Sequence, residues 1–85
     1  MNENKIENLR KKVKSLQGKE IYITFEGAIS LSLTISDPQF LITNERIIIS
    51  YKTDIIIDFN NVEDIEIINH IIKIKISGDV VMTID

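Results

Sequence analysis

Alternation of apolar and polar residues, much of it built from isoleucine, runs through the chain after Gly18 and limits the possible folds most. In residues 20–26, Ile21, Ile23 and Phe25 fall on one side of an extended chain. Isoleucine occupies 20 of the 85 positions, and its branched Cβ packs well on a pleated sheet but is stiff in a helix. The pattern predicts a mainly β protein.

Turn-forming residues divide this region into strands. A tight turn at Glu26 and Gly27 separates the first two strands, and Asp37 and Pro38 end the second, since proline cannot donate to a strand ladder. Residues 60–64 read as a single helical turn or a loop. Gly78 marks the turn of a C-terminal hairpin. The predicted strands are residues 20–26, 28–35, 40–51, 54–59, 65–68, 71–76 and 80–84.

One amphipathic helix is predicted before the strands, over residues 3–16. Its apolar residues are spaced by three, four and three positions, which places them along one helical stripe. They are Ile6, Leu9, Val13 and Leu16. Asn2 or Asn4 can cap this helix, and Gly18 can end it.

The chain length and the isoleucine runs together define the expected architecture. Eighty-five residues suffice for one core, so we predict a single domain over residues 1–85, with the helix at about 3–16 and a β-barrel at about 19–85. The isoleucine runs at 47–49 and 55–57 make strands that are apolar on both faces. In an open sheet such strands invite aggregation. We therefore expect a closed β-barrel with a C-terminal β-hairpin, or self-association, or both.

The composition provides few of the residue types that catalysis or metal binding requires. The chain has no cysteine, which excludes a thiolate metal site and a cysteine nucleophile. His70 is the single histidine and is expected in a turn. We predict no enzyme activity, no cofactor and no metal site. No signal-like segment or apolar run of about 20 residues occurs, so we expect a cytoplasmic protein without a membrane span.

Charge is distributed unevenly along the chain. Residues 1–20 hold six basic and three acidic side chains, whereas residues 21–85 hold four basic and ten acidic ones. The basic helix can contact phosphate, an acidic partner or the acidic face of a neighbouring copy, or it can simply present a solvated face. The residues of this candidate basic face are Lys5, Arg10, Lys11, Lys12 and Lys14.

A second candidate face is acidic. It can be a protein-binding or nucleic-acid-mimicking surface, a divalent cation site, or a set of charges that keeps the strand rims soluble. The spacing lacks the Asp-x-Asp-x-Asp-Gly pattern that wraps calcium. The residues of this candidate face are Asp54, Asp58, Glu63, Asp64 and Glu66.

The helix followed by strands resembles the Sm-like fold, an SH3-like small, strongly bent antiparallel β-barrel that assembles into rings. The resemblance is carried by an opening "L-x-G-x-x-V-x-V-x-L" pattern with a following turn glycine, by Asp37, and by the spacing of residues 55–65. The opening pattern falls on Leu16, Gly18, Ile21, Ile23, Phe25 and Gly27. The resemblance implies RNA binding, but the chain has Leu41 where that family has a base-contacting asparagine, and Asp58 and Phe59 where it has Arg-Gly.

Residues 40–49 resemble instead the "LTNxR" strand of bacterial pleckstrin-homology-like domains, and residues 57–68 resemble the strand pair that follows it. This second resemblance covers residues 38–84 and accounts for the last hairpin. The helix that closes such a domain is missing from the pattern, whereas the Sm-like comparison accounts for the N-terminal helix.

These observations favour a small non-enzymatic interaction module that acts through protein–protein contact as a homo-oligomer. Small acidic proteins of this kind include regulators and phage-encoded inhibitors. The alternative is an Sm-like RNA-binding protein that uses the basic helix, with an affinity that falls steeply with salt. The partner and the oligomer size are left open.

Overall fold

A computed structural model describes residues 3–85 as one helix followed by eight strands. Helix α1 spans Glu3–Lys14. The strands are β1 Glu20–Glu26, β2 Leu31–Ser36, β3 Gln39–Ile42, β4 Arg46–Ser50, β5 Asp54–Asp58, β6 Val62–Ile68, β7 Ile71–Ile76 and β8 Val80–Ile84. A 3-10 turn at Phe59–Asn61 links β5 to β6. Within residues 3–85, no helix has the length and apolar character needed to cross a membrane.

The strands form two antiparallel sheets. The larger sheet has the order β2-β1-β8-β7-β6, and the smaller one has the order β3-β4-β5. Strand β8 closes back onto β1, where Tyr22 and Asp85 exchange two backbone hydrogen bonds of 2.9 Å. The predicted mainly β architecture, with an N-terminal helix, antiparallel strands and a C-terminal hairpin, is confirmed.

The strands of residues 3–85 do not form the closed barrel that the sequence predicts, because the ladder breaks at two places. Between β2 and β3 the chain turns at Asp37, which has a φ of 52°, and Pro38 has no N–H to continue the ladder. Between β5 and β6 the 3-10 turn interrupts the pairing. The consequence is four strands with one unpaired edge each: β2, β3, β5 and β6.

The prediction of one strand over residues 40–51 is wrong, since this segment is a hairpin. The hydroxyl oxygen of Thr43 accepts hydrogen bonds of 3.1 Å from the backbone N–H groups of both Glu45 and Arg46. This local turn separates β3 from β4 without glycine or proline. The first turn also differs from the prediction, because residues 27–30 separate β1 from β2 where a tight turn at Glu26 and Gly27 was expected.

Helix α1 completes the core between the sheets. The side chains of Ile6, Leu9 and Val13 are buried, as the helical spacing predicts. The helix ends two residues earlier than expected, but Leu16 is still buried, and Gly18 takes a φ of 75° that leads into β1. Asn4 lies inside the helix, whereas Asn2 lies outside the described residues. The helix and the inner faces of both sheets therefore share one apolar cluster.

Replacing Leu9 by alanine should lower the free energy of unfolding by about 2–5 kcal/mol, because it leaves a cavity at a side chain that is only 1% exposed. Ile29, which is 84% exposed in the turn between β1 and β2, provides the matched control. Ile29→Ala should change that free energy by less than about 0.5 kcal/mol. Urea unfolding followed by circular dichroism measures both. Equal effects of the two substitutions would contradict the packing of α1 described here.

Candidate functional site

A row of large apolar side chains crosses the outer face of the β3-β4-β5 sheet. The register places Leu41 beside Ile48 and Ile48 beside Ile56, so these three residues lie side by side across the strands. Leu41 is 57% exposed and Ile56 is 56% exposed, while Ile48 between them is half-buried. We call these three residues the outer apolar row.

Polar residues border the outer apolar row on both sides. One neighbouring row is formed by Gln39, Ser50 and Asp54. On the other side Arg46 lies beside Asp58, and its Nε is 3.2 Å from the Asp58 carboxylate. An exposed apolar strip with a polar rim is typical of a surface that contacts another protein.

The outer face of the larger sheet has a different character. There Lys73 lies opposite Glu66 and Lys75 lies opposite Asp64, so neighbouring strands bring opposite charges together. Exposed apolar residues such as Tyr22 and Ile68 also occur on the larger sheet, but there charged pairs occupy the neighbouring positions. On the smaller sheet, the three apolar side chains lie side by side across all three strands.

The residues of the candidate basic face do not form one surface, because they contact different parts of the structure. Lys5 forms an ion pair with Asp64 on β6. Arg10 donates to the backbone oxygen of Ile42 at 3.2 Å and to the Asn44 side chain at 3.0 Å, and it pairs with Glu7. The contacts with Asp64, Ile42 and Asn44 join α1 to β6 and to the β3–β4 hairpin. Arg10, Lys11 and Lys14 line a shallow groove between α1 and β3, and Lys12 is not among its lining residues.

The candidate acidic face is likewise divided between separate places. Asp54 and Asp58 lie at opposite ends of β5, and Asp58 is paired with Arg46. Asp64 is paired with Lys5, and Glu66 lies opposite Lys73. Glu63 is exposed on β6. Within residues 3–85, no group of three or more histidine, cysteine or acidic side chains is arranged to hold a metal ion.

His70 lies in the turn between β6 and β7, as the sequence predicts. Its Nε2 atom is 3.2 Å from the carboxylate of Asp85. Both side chains are largely exposed. The contact links this turn to the end of β8.

Among residues 3–85, the pKa values of Asp64 and Tyr22 are shifted, and neighbouring groups explain both. The pKa of Asp64 is lowered, mainly because Lys5 donates a hydrogen bond to its carboxylate. The pKa of Tyr22 is raised, because its hydroxyl donates to the Glu20 carboxylate at 3.1 Å and the negative charge disfavours the phenolate. Both groups lie on the surface, where solvent screening makes such pairs weak.

Comparison with protein families, with characterised proteins and with solved structures finds no match for the chain. The resemblances to the Sm-like and pleckstrin-homology-like families therefore stay predictions.

The outer apolar row is not predicted as a site from the sequence. The isoleucine runs at 47–49 and 55–57 indicated strands that are apolar on both faces, and this signal was correct. Leu41 does not belong to such a run, and only the pairing of β3 with β4 places it beside Ile48. The turn at Thr43 creates that register.

Replacing Lys5 by glutamine should raise the pKa of Asp64 toward its ordinary value, because the main cause of its lowering is removed. A carboxylate with a lowered pKa stabilises the fold above its unfolded-state pKa, and that stabilisation disappears as the pH falls through the folded-state value. The variant should therefore lose less stability on acidification. An NMR titration of the Asp64 carboxyl carbon measures the shift. Lys12→Gln should leave the Asp64 titration unchanged, and an equal change in both variants would contradict the assigned ion pair.

Proposed function

We propose that this protein is a non-enzymatic interaction module that acts through protein–protein contact and works as a homo-oligomer. The observation that carries the proposal is the outer apolar row. Leu41, Ile48 and Ile56 present adjoining apolar surface to solvent on the β3-β4-β5 sheet. Covering that surface with a partner removes apolar area from water, which favours binding.

The polar rim gives the contact its specificity. Asp54 and Gln39 on one side, and the Arg46–Asp58 pair on the other, offer hydrogen-bonding groups around the apolar centre. The area of three side chains is small compared with the roughly 800 Å² that each partner buries in a standard interface. A partner must therefore also contact the rim or bind weakly.

The distribution of charge supports a role without catalysis. Among residues 3–85, no charged or polar side chain is buried. General acid–base chemistry relies on groups whose pKa values are tuned by burial and by neighbours in a protected site. The ionisable side chains described here lie at the surface, where solvent screens them.

Protein contact is favoured over the nucleic-acid alternative by the engagement of the basic residues. Lys5 is paired with Asp64, and Arg10 is held by Glu7 and by groups of the β3–β4 hairpin. A polyanion would have to compete with these contacts. Lys11, Lys12 and Lys14 remain as the exposed or partly exposed charges for such a role.

The proposal predicts that Ile56→Lys abolishes partner binding without unfolding the protein, because it places a charge in the outer apolar row at an exposed position. The measurement is affinity capture from nuclease-treated lysate of the native host, with wild-type and variant proteins as bait. A partner retained by the wild type and lost with Ile56→Lys is the expected result. Nuclease treatment removes proteins that are bridged by nucleic acid.

Ile29→Lys is the matched control, because it makes the same substitution at another exposed isoleucine, outside the outer apolar row. It should retain the partner. Circular dichroism spectra of the three baits should coincide. Retention of the same partners by Ile56→Lys and the wild type would refute the role of the outer apolar row.

A further inference from the structure

Strand β2 has an edge whose backbone groups point away from the rest of the protein. The hydrogen bonds of the neighbouring strand β1 show which groups these are. On the side of β1 that faces β8, the N–H and C=O of Tyr22 bond Asp85, which follows β8. Because successive residues of a strand point these groups to opposite sides, Ile21, Ile23 and Phe25 bond β2. Their partners on β2 are Ile35, Leu33 and Leu31. The N–H and C=O groups of Ser32, Thr34 and Ser36 therefore point outward.

The outward groups of β2 have no hydrogen-bond partner within residues 3–85. The side chains of Ser32, Thr34 and Ser36 are exposed, and the six residues of the strand carry no charge and no proline. An uncharged edge of this length is a template for pairing with another strand. We call it the β2 edge.

The other three sheet edges are protected. Helix α1 lies beside β3, and Arg10 donates a hydrogen bond to the backbone oxygen of Ile42. Strand β5 carries Asp54 and Asp58. Strand β6 carries acidic residues at three of its seven positions: Glu63, Asp64 and Glu66. Charged side chains on an edge discourage pairing with a further strand. Only β2 lacks such protection among the edges described.

We propose that β2 pairs with β2 of a second copy of the chain, antiparallel and centred on Leu33, so that the two five-stranded sheets become one ten-stranded sheet. This inference rests on the homo-oligomer part of the proposed function and identifies its surface. A strand that pairs with itself across a two-fold axis makes a closed dimer. The dimer leaves the outer apolar row of each copy free.

The sequence of β2 suits this register. With Leu33 opposite Leu33 of the second copy, Ser32 lies opposite Thr34, and Leu31 lies opposite Ile35. Hydroxyl side chains thus meet hydroxyl side chains on one face, and apolar side chains meet on the other. Leu31 is 52% exposed in the single chain, and the pairing covers it. The N–H and C=O groups of Ser32 and Thr34 gain partners.

Sedimentation velocity over a range of concentrations tests the pairing. The wild type should change from monomer to dimer as its concentration rises. Thr34→Lys should weaken the dimer at least about tenfold, because a lysine on each strand brings two like charges together at an edge. Ser77→Lys makes the same charge change in the exposed turn between β7 and β8, and it should dimerise like the wild type.

The possible outcomes separate this inference from the wider proposal. If Thr34→Lys dimerises as strongly as the wild type, pairing through the β2 edge is overturned. The protein would then be a homo-oligomer that uses another surface. A wild type that stays monomeric at every concentration would overturn both. Neither result bears on binding of another protein at the outer apolar row, which the Ile56→Lys experiment addresses.

Cysteine cross-linking tests the register, since the natural chain has no cysteine. Opposed residues that are not hydrogen-bonded to each other have Cα atoms about 4.5 Å apart, a separation that a disulfide can span. Leu33→Cys should therefore cross-link to dimer under mild oxidation much faster than Ser77→Cys. Faster cross-linking of Thr34→Cys than of Leu33→Cys would overturn the centring on Leu33. Equal slow cross-linking of all three variants would overturn the pairing.

Discussion

The backbone hydrogen-bonding requirement of sheet edges is the constraint on which the rest of this structure depends. Eight antiparallel strands that closed completely would leave no edge. The chain instead breaks its ladder at Asp37 and Pro38 and again at the 3-10 turn, and four edges result. Each edge must be covered, charged or paired. Helix α1 and the acidic side chains satisfy this requirement at three of them, and we propose that β2 satisfies it by pairing with a second copy.

The isoleucines have two separate consequences in this arrangement. On the inner faces they form the core with α1, and residues such as Ile23, Ile49 and Ile72 are completely buried. On the outer face of the smaller sheet, Ile48 and Ile56 join Leu41 in the outer apolar row. The first set stabilises the fold, and the second is the surface that we propose contacts a partner. The two proposed contacts therefore use different sheets and do not exclude each other.

Much of the fold follows from the sequence because periodicity acts locally. The alternation over residues 20–26 predicts β1 with its observed bounds, and the stripe of Ile6, Leu9 and Val13 predicts the buried face of α1. The hairpin at Thr43 was missed because a side-chain hydroxyl forms the turn where glycine or proline is usually expected. The sheet breaks, the outer apolar row and the β2 edge depend on which strands pair, and such long-range pairing is not encoded in any short segment.

Amide hydrogen exchange along β2, followed at low and high protein concentration, tests the central claim most directly. The N–H groups of Leu33 and Ile35 point to β1 and should be protected at both concentrations. The N–H groups of Ser32 and Thr34 point outward and should exchange rapidly in dilute solution and slowly in concentrated solution. Exchange at Ser32 and Thr34 that does not depend on concentration would contradict the account.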